Sequence, residues 1–348
     1  MKSGQVITEQ PISIRPVLAA ILLTSASAII SISSIRAQEV SPITAHQKEA
    51  VIDSVTSSLI ESYIFLDVAE EMRDHLRTRL REGAYDDLTT PFTFTSQLTT
   101  DLQSISHDLH LRVNIQQPRP IDPVGRPDPE EVARQQREQM RRVNFGFQKV
   151  EILDGNIGYL KLDGFIETIF GGSTAVAAMN FLAGADALII DLRANGGGAP
   201  SMIQLISSYF FEEPQHLNSF YIRETDEWEQ YWTQAHVEGP KMVDMPIFIL
   251  TSGRTFSAAE ECTYNLKNME RATIIGETTR GGAHPVKGRI FPFDGFAVSI
   301  RIPFGRAVNP ITGTNWEGTG IEPHISVPAE EALERAIDEA RRMLARTR

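Results

Sequence analysis

The sequence is poor in cysteine and in positive charge, and each shortage excludes a class of protein. Cys262 is the one cysteine among the 348 residues, so no intrachain disulfide can form even in an oxidising compartment. Its helical spacing from Leu266 indicates a buried filler. The formal net charge of −12 argues against binding to nucleic acid, because phosphate contacts need a basic face.

Cofactor signals are missing as well, and the sequence implies neither a metal nor an organic cofactor. Three consecutive glycines, Gly196–Gly198, follow an apolar run in ADALIIDLRANGGGAP, but the lysine of a Walker phosphate loop does not follow them. A tight strand-to-helix turn and a close backbone approach to a ligand both remain open for these glycines. Repeats of 20–50 residues, which mark solenoids and propellers, are also lacking.

The longest apolar run lies at the N-terminus. Lys2 and Arg15 precede a stretch of apolar and small residues that extends to Ala37. This layout is typical of a secretory signal peptide, so we predict a signal over residues 1–37 and export to the periplasm or the medium. An uncleaved membrane anchor is the alternative, but several Ser and Thr residues within the run disfavour it. After cleavage we expect no stable membrane insertion.

Periodicity divides the remaining chain into three parts. Residues 38–110 carry apolar side chains at helical spacing and predict a small N-terminal helical domain. Residues 111–142 begin as a strand and continue as a Pro-rich and then charged excursion. Residues 143–348 alternate strands with helices, which is typical of an α/β core.

The most informative segment runs from Pro246 to Asn268. Ile247–Leu250 has the length and composition of a buried parallel strand, and good helix formers follow Ser257. Ser257 therefore lies where a strand gives way to a helix, a position that combines an accessible side chain with free backbone N–H groups. A nucleophile and its oxyanion stabiliser need both features. The alternative is that Ser257 is only a helix N-cap.

Acyl transfer by serine also needs a base, a group that orients the base, and oxyanion donors. His110 lies at a predicted helix-to-strand junction, Glu317 and Glu322 lie in a glycine-rich loop, and Gly196–Gly198 offer backbone amides. A structural role for His110 and a solvated surface role for Glu317 are the alternatives at this point.

Several segments together resemble one family. DLRANGGGAP, the Ser257 segment with the later GETTRGGAHP, and NWEGTGIEPHI occur in that order in the tail-specific (C-terminal processing) peptidases. The chain is most similar to the branch that contains the tricorn protease core and the modules of interphotoreceptor retinoid-binding protein, which shares the D-x-H-L-R-V segment found here at Asp108–Val113. The resemblance covers roughly residues 45–330. It implies a crotonase- or ClpP-like α/β spiral core.

The resemblance also implies roles for individual residues. Ser257 matches the nucleophile, and the backbone of Ala258 together with Gly197 or Gly198 matches the oxyanion donors. His110 matches the base of the tricorn-like branch, and Glu317 matches the glutamate behind that base.

Two positions depart from the patterns of the family. Leu109 stands where tricorn has a serine before its histidine. Gly282 stands where the Ser–Lys processing peptidases carry their base lysine, so that dyad is not available here.

These observations predict an exported serine peptidase that acts on peptide or protein substrates, with unfolded or C-terminal segments as targets. The first alternative is a non-catalytic carrier of a hydrophobic, retinoid-like ligand, although a carrier needs neither Ser257 nor His110. The second is a Ser–Lys enzyme that uses Lys287 or Lys267. If His110 lay far from Ser257, Lys287 or His284 would be the next candidate base. The sequence leaves oligomerisation open.

Overall fold

Helices and strands alternate along the chain after an initial group of helices. The computed structural model describes residues 42–116 and 129–347. The predicted signal peptide and most of the Pro-rich part of the excursion lie outside these residues. Within them, the helices are α1 (Ala45–Ser62), α2 (Leu66–Arg81), α3 (Pro91–Ser106), α4 (Pro129–Arg142), α5 (Thr168–Leu182), α6 (Pro200–Ser207), α7 (Ala258–Asn268) and α8 (Ala332–Thr347). The strands are β1 (Arg112–Gln116), β2 (Phe147–Leu153), β3 (Ile157–Leu162), β4 (Ala187–Asp191), β5 (His216–Ile222), β6 (Glu227–Trp232), β7 (Ile247–Thr251), β8 (Thr273–Gly276), β9 (Val286–Phe293), β10 (Phe296–Pro303), β11 (Gly305–Val308) and β12 (Ile325–Ser326).

The three N-terminal helices share one hydrophobic core with a small sheet. Thr44 caps α1 in a capping box with Gln47, and Thr90 caps α3. The buried sides of α1–α3 pack against the antiparallel sheet β1-β10-β9, whose inward residues include Val113 and Val298. The packing fixes the start of β1, and therefore the residues just before it, against the C-terminal half of the chain.

The central sheet has the order β12-β8-β7-β4-β3-β2. All of its pairs are parallel except β2 with β3, which form an antiparallel hairpin. Every residue of β4 and β7 is buried, because α5, α6 and α7 cover one face and α8 covers the other. This double cover explains why both strands read as continuous apolar runs. Since β4 and β7 are parallel neighbours, the loops after them lie at the same edge.

A third sheet, β11-β5-β6, was not predicted from the sequence. It is antiparallel throughout. Phe220 and Ile222 of β5 pack with Trp316 and Ala307 in a separate small core. This sheet stands beside the edge at which β4 and β7 end, because its residues line the same cavity as Ser257.

Two further features are clear from the described residues. None of their helices combines the length with the hydrophobicity that crossing a membrane requires. Cys262 is 1 % exposed and packs in the core between α7 and the central sheet, as its spacing predicted.

Candidate active site

Ser257 lies between β7 and α7 in a loop that is bound to the loop after β4. Thr255 Oγ1 donates a hydrogen bond to the Leu192 carbonyl at 2.9 Å, and Ser252 Oγ donates to the Arg193 carbonyl at 2.7 Å. The Phe256 amide donates to the carbonyl of Asn195 at 3.1 Å. These bonds hold the predicted nucleophile directly against the glycine triplet.

The backbone at Ser257 is in an unusual conformation. Its φ of 58° and ψ of −124° fall in a region that L-residues rarely adopt. Such a conformation costs of the order of 1–3 kcal/mol, and it persists where the surrounding structure holds it, often at functional sites. A sharp strand-to-helix turn of this kind presents a serine hydroxyl in nucleophile elbows.

The glycine triplet approaches Ser257 more closely than any other residue type would allow. A Cβ on Gly197, whose φ is +108°, would lie 2.7 Å from Ser257 Cβ and 3.0 Å from the Ala258 nitrogen. The Gly197 amide itself donates to Asn195 Oδ1 at 2.8 Å. By contrast, the amides of Gly198 and Ala258 donate to no group among the described residues, and both residues line the cavity that contains Ser257. We call this space of about 320 Å³ the Ser257 cavity.

His110 is distant from Ser257 in the sequence but lines the same cavity. It directly precedes β1, and its backbone N–H donates to Asp108 Oδ1 at 2.9 Å. Its ring packs on Phe256 with 4.4 Å between ring centroids, and the residue is 4 % exposed. The fold therefore places Ser257 and His110 on the wall of one cavity, although no hydrogen bond joins them among the described residues.

Both ring nitrogens of His110 lack a hydrogen-bond partner in the described part of the chain. Burial lowers the pKa of His110 to about 4, although the charge of Asp108 works in the opposite direction. The ring is therefore neutral near pH 7. A neutral imidazole can accept a proton, as a general base must.

The acidic group that faces His110 is not the expected one. Asp108 Oδ1 lies 3.8 Å from His110 Nδ1, and Asp108 is the acidic residue within ion-pairing distance of that ring among the described residues. Glu317 instead accepts a hydrogen bond from the Ala283 amide at 2.5 Å and lies 3.6 Å from His284 Nδ1. His284 Nδ1 in turn lies 2.7 Å from Asp108 Oδ2. The four side chains thus form a row in the order His110, Asp108, His284, Glu317.

Basic and acidic side chains alternate along this row. Burial alone would lower the pKa of His284, but its hydrogen bond to Asp108 and the charges of Glu317 and Asp108 outweigh burial and raise it. Burial raises the pKa of Glu317 to about 7, while His284 opposes that shift. The hydrogen bond to Asp108 and the neighbouring carboxyl groups therefore favour the charged form of His284.

Asp108, His284 and Glu317 also have the ligand types of a divalent cation site, with ligand atoms within 4.8 Å of one another. However, two ligands of one zinc ion, each about 2.0 Å from the metal in tetrahedral geometry, lie more than 3 Å apart. The 2.7 Å separation of His284 from Asp108 is that of a hydrogen bond. We interpret the group as a proton-bridged network.

Glu260 ties the start of α7 to the loop that carries His284. Its carboxylate is fully buried and accepts four hydrogen bonds, at 2.6–2.9 Å. The donors are the amides of Ser257, Gly281 and Gly282 and the hydroxyl of Thr279. One side chain thereby fixes Ser257 relative to the wall of the cavity.

Gly282, the position of the lysine in the Ser–Lys enzymes, lies against His110. A Cβ at this position would lie 2.2 Å from a ring atom of Phe256 and 2.7 Å from His110 Cε1. A lysine and the present rings therefore exclude each other. The alternative bases are committed elsewhere, because Lys287 pairs with Glu224 and Lys267 donates to the Glu322 carbonyl.

We expect Gly282→Ala to lower kcat/KM by about 100-fold, because a shift of about 1 Å in a catalytic group has effects of that size. Gly288→Ala is the matched control, since a Cβ there meets nothing within 4 Å. Peptide hydrolysis by the two variants, with circular dichroism to verify folding, checks this. Equal activity of both variants would contradict the proposed tight fit around His110.

Comparison with known families identifies the chain. Residues 156–327 match the family model described as peptidase family S41. Residues 36–154 match the model described as the N-terminal domain of peptidase S41 in eukaryotic IRBP, the interphotoreceptor retinoid-binding protein. The chain belongs to peptidase family S41. It is a serine-type peptidase, which confirms the enzyme class and the family predicted from the motifs.

Several solved structures have the same fold as this S41 peptidase. A protein from Parabacteroides merdae ATCC 43184 is 18 % identical, with 84 % of this chain and 96 % of that chain covered and a TM-score of 0.58. A lipoprotein from Streptococcus agalactiae is 14 % identical, with 85 % and 96 % covered and a TM-score of 0.55. The tricorn protease is 13 % identical over 85 % of this chain but 37 % of its own, with a TM-score of 0.52. The α/β class with an N-terminal helical region is confirmed.

Sequence reasoning missed three residues of the S41 site. Asp108 was named only as a neighbour of His110, although an aspartate two residues before a histidine can accept its amide hydrogen. Glu260 stands three residues after Ser257, which is the spacing of a capping box, and so its position carried a signal. His284 was only a fallback base, and nothing in its local pattern indicates its pairing with Asp108.

Proposed function

We propose that this S41 peptidase cleaves peptide bonds in unfolded or C-terminal segments through an acyl-enzyme, with Ser257 as the nucleophile and His110 as the base. The observation that carries the proposal is a single cavity lined by a strained serine, a neutral buried histidine and two backbone amides. Those amides donate no hydrogen bond to any described residue. These are the parts that acyl transfer to serine requires.

In the proposed reaction, Ser257 Oγ attacks the carbonyl carbon while its proton passes to His110. Since Nδ1 of His110 faces Asp108, Nε2 is the nitrogen that takes the proton. The oxyanion accepts hydrogen bonds from the amides of Ala258 and Gly198. His110 then protonates the leaving amine, and a water molecule hydrolyses the ester by the same steps in reverse order.

We propose that Asp108 orients His110 and stabilises its imidazolium, which forms as the serine attacks. Its 3.8 Å distance to Nδ1 would shorten to a hydrogen bond as charge develops, since catalytic hydrogen bonds are often long without substrate. Glu317 then acts on His110 only indirectly, because it faces His284, which pairs with Asp108. This proposal moves the orienting role from Glu317 to Asp108.

Asp108→Asn is therefore expected to lower kcat by at least about 100-fold, whereas Glu317→Gln should lower it by less than about 10-fold. An amide at position 108 loses the charge that stabilises the imidazolium, but an amide at position 317 leaves Asp108 in place. Steady-state kinetics of the two isosteric variants, with urea unfolding of each, make the comparison. The reverse order of effects would favour Glu317 as the orienting group.

The burial of the site supports flexible segments as substrates. His110 and His284 are about 5 % exposed, and Ser257 is only partly accessible at the cavity wall. A scissile bond must therefore enter in an extended conformation, which a folded surface cannot adopt without local unfolding.

We further propose that the protein is exported, supported by the charged residues and the apolar run at the N-terminus. The intact mass of the mature protein distinguishes cleavage near Ala37 from retention of the N-terminal segment as an anchor.

The test uses one disulfide-containing protein in two forms, native and reduced with blocked thiols. We expect the peptidase to cut the unfolded form and to leave the folded form intact, with products identified by mass spectrometry. The Ser257→Ala variant should cut neither. Hydrolysis by that variant at the wild-type rate, or no hydrolysis of any unfolded chain by the wild type, would refute the proposal.

A further inference from the structure

The Ser257 cavity contains a second buried acid that the proposed chemistry does not use. Glu261 follows Ser257 by four residues and lies in the first turn of α7. Both line the Ser257 cavity, and Glu261 is 4 % exposed. An acidic side chain buried this far is rare unless it is paired.

Glu261 lacks the partners that its neighbour Glu260 has. Glu260 accepts four hydrogen bonds from protein groups. Among the described residues, the side-chain amide of Asn218 is the polar group that acts on the Glu261 carboxyl group, and no cation pairs with Glu261. Burial raises the pKa of Glu261 to about 7, although the Asn218 amide opposes the shift. A buried carboxyl group in this state gains stabilisation from any cation that reaches it.

The groups around Glu261 also suit a cation. Asn218 is fully buried in β5, and neither polar atom of its side chain has a hydrogen-bond partner among the described residues. Glu229 lines the cavity from β6 and is solvent-exposed, so it stands at the mouth. Tyr231 donates to Glu229 Oε2 at 3.0 Å. Burial, Glu229 and Glu261 together raise the pKa of Tyr231, which reports a negative field across this wall.

The basic groups that line the cavity do not neutralise this wall. His284 is paired with Asp108, and His110 is neutral near pH 7. Arg301 lines the cavity but forms no ion pair with either glutamate among the described residues. The cavity therefore has an acidic wall, formed by Glu261 and Glu229, that is not neutralised by any basic group among the described residues.

We propose that Glu261, assisted by Glu229 at the mouth, binds a cationic side chain of the substrate, lysine or arginine, and so sets the preference of the peptidase next to the cut. This inference rests on the proposed function and names the side-chain class that the same site takes. The aromatic rings of Phe220, Tyr231 and Trp316 also line the cavity. They suit the aliphatic stem of such a side chain and the flat face of a guanidinium group.

The test compares peptides that are identical except for one residue, which is arginine, its neutral isostere citrulline, or glutamate. The wild type should hydrolyse the arginine peptide with a kcat/KM at least about 30-fold above that of the citrulline peptide, since a lost partner in a buried charge pair has effects of that order. The glutamate peptide should be the poorest. In Glu261→Gln the arginine-to-citrulline ratio should fall to near one. Glu213→Gln, at an exposed site away from the cavity, should keep the wild-type ratio.

A binding measurement separates this inference from the proposed function. Fluorescence anisotropy with the Ser257→Ala protein should show that the labelled arginine peptide binds at least about 30-fold more tightly than the citrulline peptide, with Glu229→Gln reducing that preference. A preference in binding without hydrolysis by the wild type would overturn the proposed function but not the cation site. Hydrolysis with equal rates for arginine and citrulline, or a ratio unchanged in Glu261→Gln, would overturn the cation site alone.

Discussion

Replacing Ser257 with alanine is expected to lower kcat by at least about 10⁴-fold, because loss of a serine nucleophile removes the covalent path and leaves only binding and the oxyanion donors. The free energy of unfolding should change by no more than about 1–2 kcal/mol, the scale of a helix cap. Alanine keeps the backbone N–H that donates to Glu260 at 2.8 Å and the same strained φ, so only the hydroxyl is lost. Initial rates and urea unfolding together check both halves.

The two halves of this prediction answer different alternatives. If Ser257 were only a helix cap, the variant would keep most of its turnover, whereas a general loss of folding would lower the free energy of unfolding by more than a cap contributes. Residual kcat above about one per cent of wild type in a folded preparation would remove Ser257 from the mechanism. The peptide-binding assay on the same variant serves as the control that the cavity is intact.

The second large effect is expected at His110. His110→Ala should lower kcat/KM by at least about 100-fold, which is the usual scale for removal of a general base. The physical reason is that the buried imidazole of His110 is neutral near pH 7 and has no hydrogen-bond partner on either ring nitrogen among the described residues, so it can take the proton. His284 is already hydrogen-bonded to Asp108. Kinetics with a neutral peptide avoid any contribution from the acidic wall.

His107 provides the matched control for this variant. It lies three residues earlier, is exposed, and ends α3 in the left-handed region with a φ of 54°. Asparagine tolerates that conformation, so His107→Asn should retain most of the activity and stability. Equal losses in the two histidine variants would indicate a structural effect on the α3–β1 junction and would count against His110 as the base.

The central part of the fold could be predicted from the sequence because burial leaves a clear pattern. β4 and β7 are covered on both faces and read as uninterrupted apolar runs. Their carboxyl ends are followed by the glycine triplet and by Ser257, and parallel neighbours bring such ends together. The strand-to-helix position of Ser257 was therefore available from local pattern alone.

The sheet that forms the acidic wall could not be predicted in this way. β5 reads HLNSFYI, and its buried polar residues Asn218 and Ser219 interrupt the apolar alternation. β6 reads EWEQYW, in which Trp228 and Trp232 are exposed and Glu229 lines the Ser257 cavity. Strands whose side chains line a cavity lose the regular alternation of apolar and polar residues on which the prediction depends.

Side-chain partners that lie far apart in the chain could not be predicted from the sequence either. Glu260 and Glu261 are adjacent and chemically identical, and both are buried on α7. Glu260 accepts four hydrogen bonds from Ser257 and the loop at 279–282, whereas Glu261 pairs with no cation in the described part of the chain. The row of His110, Asp108, His284 and Glu317 likewise joins segments far apart in the chain, and no local spacing encodes that order.

Labelling with a fluorophosphonate, followed by mass spectrometry of the digested protein, tests the central claim most directly. This reagent reports an activated serine without requiring knowledge of the natural substrate. We expect a single labelled residue, Ser257, in the wild type and in His107→Asn, and labelling slowed by at least about 100-fold in His110→Ala. Label on another residue, or labelling of His110→Ala at the wild-type rate, would contradict the account.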